Sequence, residues 1–287
     1  MSLSWSHIFR LGLVQMALGS IVVLTTSTLN RLMVVEFALP ALLPGALVGL
    51  HYAIQLSRPR WGFRSDVGGN RTRWIIGGMI VLALGGAGAT YAVTLFAEHY
   101  WLALIASILS YGLIGIGVGA SGTSLLALLA TATAPHRRAA AATITWLMMI
   151  FGIALTAGVA GQFLDPYSPE RLMTVVSIIA LSAVVLTVLA IWNIERSVSP
   201  RACEPGIPFQ EALREVWAES KTRNFTIFVF LSMNAYFMQE LILEPYAGLV
   251  FGFTPGQSTS LSGAQNGGVF VGMLTVGIRA TGFKIGS

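Results

Sequence analysis

Long stretches without Asp, Glu, Lys or Arg alternate along this chain with short charged ones. The uncharged stretches run over residues 11–30, 37–57, 74–97, 99–136, 139–164, 172–194, 224–239 and 245–278. Lipid offers no partner to backbone polar groups, so apolar runs of this length are predicted to be helical; the two-residue alternation of a barrel strand is absent. A spanning helix needs about 20 residues. The fourth run is longer, so its helix is placed at about 101–131, with 132–136 and its Pro135 as a turn. In the last run Pro255, Gly256 and Ser258-Thr259-Ser260 predict an outer loop, followed by a helix over about 261–278. The seventh run is short, and its helix is expected to continue through Glu240 toward Glu244. The pattern therefore predicts an all-α, polytopic membrane protein with about eight transmembrane helices.

Composition supports this. Of 287 residues 55% are hydrophobic and only 10% charged, against about a quarter charged in soluble domains. Mean hydropathy is +0.74. The single cysteine, Cys203, excludes an internal disulfide and a Cys-cluster metal site. The first apolar run is too long for a signal-peptide core and lacks an Ala-x-Ala cleavage pattern, so no cleavable signal is expected. Of 17 basic residues, 15 fall on one side if the N-terminus is cytoplasmic, and only Arg31 and Arg171 fall on the other. The positive-inside rule thus predicts both ends on the cytoplasmic face and reads the basicity as topology rather than nucleic-acid binding.

The connections are unequal. Residues 195–223 carry five acidic and five basic side chains together with Pro200, Pro205 and Pro208, which divides the chain into a six-helix bundle over 1–196, a cytoplasmic linker over 197–223 and two further helices over 224–287. Within the linker, Phe209, Ala212, Leu213, Val216 and Trp217 fall at i, i+3, i+4, i+7 and i+8, predicting an amphipathic helix against the membrane face or a partner.

Between the second and third runs lies Gly62-x-x-x-Asp66-x-x-Gly69-x-Arg71. Its glycines permit a tight turn, and Asp66 is suited to accept from a helix N-terminus or to pair with an arginine. In this position the string resembles the loop signature of the major facilitator superfamily; Val67 departs from it, standing where a basic residue is usual. Two further strings, Thr28-Leu-Asn-Arg31-Leu-Met-Val-Val-Glu36-Phe-Ala-Leu-Pro40 continuing to His51-Tyr52, and Met238-Gln-Glu240-Leu-Ile-Leu-Glu244-Pro245-Tyr246-Ala-Gly248-Leu-Val-Phe251-Gly252, resemble the PucC/LhaA family of that superfamily. The superfamily resemblance implies two six-helix bundles around a cavity. Here the first bundle is complete and the second reaches only its second helix by Ser287. Whether the chain continues past Ser287 stays open, and a transport cycle is in doubt.

Several residues are candidates for pigment or partner contact. His51 is suited to ligate the magnesium of a bacteriochlorophyll, or to bond a neighbouring helix; Gln55, one turn on, is a second polar contact or an interfacial residue. Glu240 and Glu244 share a helix face, beside Gln239 and near Tyr246. A charge at mid-membrane costs about 2.5–3.5 kcal/mol, so they serve proton coupling or a pigment or ion contact, or else act as a lock or interfacial cap in the outer headgroup region. Arg31 and Glu36 flank the first outer turn and are placed to pair, which if exposed would contribute only about 0–1 kcal/mol. Gly117-Val-Gly119-Ala-Ser-Gly122 matches a dinucleotide fingerprint formally, but no strand precedes it; with Gly112 and Gly115 it predicts close helix packing. No metal site and no nucleophile–base arrangement emerges, and no enzymatic activity is expected.

What the family resemblance implies is an assembly factor for light-harvesting complexes. It would deliver bacteriochlorophyll to antenna subunits or chaperone them, in the photosynthetic inner membrane and with the reaction centre as a further partner. Two alternatives stay open: a proton-coupled small-molecule transporter, and a structural subunit of a reaction centre–antenna complex.

Overall fold

The computed structural model describes residues 3–58, 70–197, 214 and 217–282. Eight long helices follow one another: α1 (Trp5–Glu36), α2 (Leu42–Gln55), α3 (Arg71–Thr94), α4 (Tyr100–Ala132), α5 (Arg138–Phe163), α6 (Pro169–Ile191), α7 (Ser220–Phe251) and α8 (Pro255–Gly282). No strand occurs among the described residues. Six of the eight, all but α2 and α8, are long and apolar enough to cross a membrane. Helix α2, with 14 residues, reaches about 21 Å at ~1.5 Å per residue. Exposed Trp5 and Trp192 near one end, and Tyr100 and Trp101 near the other, fit the amphipathic girdles of the two interfaces.

Helix α1 is not uniform. It widens into π turns at Leu24–Thr28 and Leu32–Glu36, with one α turn, Leu29–Arg31, between them. The first π turn coincides with a hydroxyl-rich run. Thr25 and Thr26 both donate back to the Val22 carbonyl, at 2.9 and 3.0 Å, the local competition that disturbs a regular helix. The Tyr111 hydroxyl of α4 donates to the Thr25 carbonyl at 2.7 Å. Helix α1 ends where Ala38 turns left-handed (φ 49°), Leu39 N–H returns to the Met33 carbonyl and Pro40 blocks continuation. The second helix consequently starts at Leu42 rather than near 37.

Helices α3 and α4 pack along each other most extensively, α5 lies against α1 and α8, and α6 against α1 and α3. The expected glycine packing is present. A Cβ on Gly117 would lie 2.5 Å from the Leu82 nitrogen, and one on Gly115 would lie 2.8 Å from the His51 carbonyl.

Two expectations need correction. The stretch at Pro255-Gly256 and Ser258–Ser260 is helix, not outer loop. Pro255 occupies the first helical turn, where its fixed φ suits a helix start; Thr254 and Gln257 cap that turn reciprocally, Gln257 N–H donating to the Thr254 hydroxyl at 3.2 Å and Thr254 N–H to Gln257 Oε1 at 3.0 Å, and a further acceptor comes from far away in sequence. Asp165, in the loop before α6, accepts from Gly256 N–H at 3.2 Å and from the Thr254 hydroxyl at 2.6 Å. At the other boundary α7 runs on to Phe251, past Pro245, and stops at Gly252. Gly252 adopts φ 67°, and Phe253 N–H closes on the Ala247 carbonyl. The anticipated amphipathic helix of the linker lies outside the described residues apart from Arg214 and Trp217.

Candidate functional site

At the π-turned end of α1 a polar seam joins this helix to α7 and α8. Arg31 projects from the α turn between the two π turns and is 2% exposed. Its Nη1 meets Glu36 Oε1 at 2.6 Å, the pairing the sequence suggested, and its Nη2 donates to the Phe253 carbonyl at 2.6 Å. Glu36 is 35% exposed and Arg31 only 2%, so the pair is not an exposed bridge of the kind that contributes only about 0–1 kcal/mol. Phe253 is in place because Gly252 accepts the left-handed turn at the end of α7. Gly248 leaves room for the guanidinium: a Cβ there would lie 3.4 Å from Arg31 Nε and 2.9 Å from Val35.

One residue earlier, Asn30 Nδ2 donates to the Leu241 carbonyl of α7 at 2.7 Å. That carbonyl would ordinarily accept from residue 245, which is proline and has no N–H. The asparagine thus satisfies a group that the proline orphans inside an apolar environment. Glu244, which the sequence left between the mid-membrane and the headgroup region, is completely buried. Ser262 Oγ donates to its Oε1 at 2.6 Å; Thr259 Oγ1 lies 3.4 Å from its Oε2 and is paired with Thr28 of α1 at 3.1 Å. Arg31 acts on Glu244 at longer range. Beside the seam, the Tyr167 hydroxyl is buried without a hydrogen-bond partner among the described residues. Burial, and secondarily Glu36, push that phenol up.

The other candidates lie elsewhere. His51 is buried on α2, at 1% exposure; its Nε2 contacts the Gln55 amide, and Gln55 in turn accepts from Arg58. Axial ligation of a pigment by Nε2 requires displacing Gln55. Tyr52 stacks on His51 and meets Phe237 of α7 at 5.5 Å between centroids. Glu240 is half-buried on that side, within electrostatic reach of Tyr52 and Tyr236. Gln239 and Tyr246 are exposed. Clefts of about 580 and 560 Å³ open at opposite ends of the molecule, and neither is lined by His51, Glu240 or Glu244.

In the 58–71 loop, Gly62, Asp66 and Gly69 lie outside the described residues. Arg71 is buried and donates to Thr131 and to the Ala127 carbonyl of α4. The start of α3 has an acceptor that the sequence did not single out: Glu195 takes the N–H groups of Arg71 and Thr72 at 2.8 and 2.9 Å and the Thr72 hydroxyl at 2.7 Å. Among the described residues no group of three His, Cys, Asp or Glu side chains is placed to hold a metal ion.

Thr28, Asn30, Thr259 and Ser262 were likewise missed. A signal for Asn30 does exist in the sequence: a proline within an apolar run orphans the carbonyl four residues earlier, and an amide on another helix is the natural donor.

The fold defines a multi-pass helical membrane protein whose buried polar groups tie the last helices to the first. Residues 28–287 match the family model described as PUCC protein, and the chain belongs to that family. It is 67% identical over its whole length to the bacteriochlorophyll synthase 44.5 kDa chain of Rhodobacter capsulatus, covering 67% of that protein. It is 30% identical to the PucC proteins of Rhodobacter capsulatus and Cereibacter sphaeroides, over 90% and 92% of this chain and 59% and 61% of theirs. These relatives place it among photosynthesis-related membrane proteins.

Proposed function

We propose that this protein is a non-enzymatic assembly factor of the photosynthetic inner membrane, binding or delivering bacteriochlorophyll, chaperoning antenna subunits, or both. The two ends of the chain are assigned to the cytoplasmic face, and the chain is read as a six-helix unit, a linker and two further helices. The observation that carries the reading is the 67% identity over the entire chain to a relative named for bacteriochlorophyll synthesis. Helix α7 is compatible with it, exposing Phe225, Phe228, Phe230, Leu231 and Met238, an apolar surface suited to a partner helix or a pigment tail.

The test is gentle extraction from photosynthetically grown membranes, followed by an absorption spectrum and subunit analysis. Co-purifying bacteriochlorophyll with antenna polypeptides, but without stoichiometric mature reaction centres, is the expected result. Stoichiometric reaction centres would instead assign a structural subunit. A colourless, solitary protein from pigmented membranes would overturn the assembly reading. The buried Glu244 favours one alternative, proton-coupled transport, which requires flux that Glu244→Gln abolishes.

A further inference from the structure

Helix α7 touches the rest of the molecule at several points, Phe237 against Tyr52 of α2 and Tyr236 donating to Asn266 of α8 among them, but is buried at one. Over its 32 residues only Glu244, Ala247 and Gly248 are buried, and these face Asn30, Arg31 and Val35 of α1 and the hydroxyl-bearing start of α8. Glu244 is thus the carboxylate that α7 itself places in its buried contact with α1 and α8.

The charges around it do not balance. Arg31 supplies one positive charge, and both of its Nη atoms are committed, one to Glu36 and one to the Phe253 carbonyl. Glu36 and Glu244 supply two negative charges. Glu244 itself touches hydroxyls alone: Ser262 and Thr259, with Ser258 close by. Among the described residues no other fixed charge facing it makes up the difference. Helix α8 contributes only Ser258, Thr259 and Ser262; Glu240, one turn back on α7, is a further carboxyl and supplies no positive charge; Tyr246 is exposed. Across the seam, Asp165 is engaged with Thr254 and Gly256, and Tyr167 is uncharged as the phenol. An ionised carboxylate held this way is strongly disfavoured in a dry interior, whereas the neutral acid fits the same contacts. Oε2–H donates to Thr259, Thr259 donates to Thr28, and Ser262 donates to Oε1.

We propose that Glu244 is a proton-binding site, held as the neutral acid while α7 and α8 are seated on α1, and that loss of this proton loosens the seating. In the step the O–H bond breaks, the electron pair stays on the carboxylate and the proton passes to water. The proposal does not depend on whether the protein serves assembly or transport.

It is tested on the purified protein in lipid nanodiscs at constant ionic strength. Infrared spectra at neutral pH are expected to show a protonated-carboxyl C=O band that disappears in Glu244→Gln. The native state then binds a proton that the unfolded state has released, so the wild-type thermal midpoint falls as pH rises; in Glu244→Gln it is flat over the same window. Ser262→Ala removes a donor that favours the carboxylate, so the fall starts at the same pH but continues about one unit higher before levelling off, tenfold in proton affinity; this variant serves if Glu244→Gln does not fold. Absence of the band in wild type, or a wild-type pH profile matching that of Glu244→Gln, overturns the proposal. So does a midpoint raised by sodium chloride relative to choline chloride in wild type and not in Glu244→Gln, because a metal cation would then occupy the carboxylate.

Discussion

Two seams in this molecule are built on opposite principles. Helices α3 and α4 meet through missing side chains: a Cβ on Gly78 would lie 2.5 Å from Ser121 N, one on Gly85 would lie 2.8 Å from Ile114 N, and Gly117 is equally crowded against Leu82. Contact is spread over several turns, and no single group decides it. Helices α1 and α7 instead meet through present ones, a guanidinium, an amide, a carboxyl and their hydroxyl partners, within about two turns at one end of α7. A glycine seam is a continuous steric fit with no alternative state of similar energy. A polar seam concentrates the attachment in a few groups whose charge or pairing can change, which is where a two-state element belongs.

Arg31→Met should break the contrast hardest. It strips the buried cation from Glu36 and leaves the Phe253 carbonyl without its donor, costing about 3 kcal/mol, the lower end for a broken buried pair because Glu36 is partly solvated. Hydrogen exchange should rise over residues 220–260 and stay unchanged over 71–132. Equal loosening of both regions would show that the seams are not separate.

Gly117→Ala should attack the other seam at about 2 kcal/mol, because the methyl group meets backbone rather than a yielding side-chain tip. Here exchange should increase in α3 and α4 with the Arg31 seam intact. A variant as stable as wild type in thermal unfolding would mean that the two helices can separate at little cost.

Glu195→Ala should be milder, about 1–2 kcal/mol, since it removes the acceptor for three donors at the first turn of α3. Fraying confined to residues 70–75 by hydrogen exchange is the expected signature. Protection lost along all of α3 would assign Glu195 a larger part in the glycine seam than capping.

The two seams also differ in how far the sequence reveals them. Close glycine packing along α4 is visible there because its signal is local: Gly112, Gly115 and Gly117 recur within one apolar run, although of these Gly117 alone meets α3, while Gly112 and Gly115 face α2. Arg31 with Glu36 is visible for the same reason, five residues apart at a predicted turn. What escapes is mostly tertiary. Asp165 reaches the start of α8 from some ninety positions away, whereas the Thr254-x-x-Gln257 capping box there is local and is masked by the loop-like Pro255-Gly256 between its members. Glu244 stays undecided between mid-membrane and headgroup region because distance along the chain from Asn224 is the only measure of depth a sequence offers, and Ser262 and Thr259 become its partners only because α8 begins six residues earlier than expected. Glu195 reads as one of five acids in a linker, although it closes the start of α3.

The smallest effect is also the most diagnostic. Asn30→Leu removes the donor to the Leu241 carbonyl and should cost about 1 kcal/mol, the scale of interhelical hydrogen bonds in membranes. If the asparagine is there because Pro245 orphans that carbonyl, Pro245→Ala restores an N–H within α7 and makes Asn30 dispensable. Pro245→Ala alone should be close to neutral, and Asn30→Leu in its background should cost markedly less than in wild type. The thermodynamic cycle, measured by reversible unfolding in the same lipid, therefore carries a favourable coupling of most of that 1 kcal/mol. Strict additivity would mean that Asn30 contributes through packing against α7, and that the polar seam at this position is no different in kind from the glycine seam across the molecule.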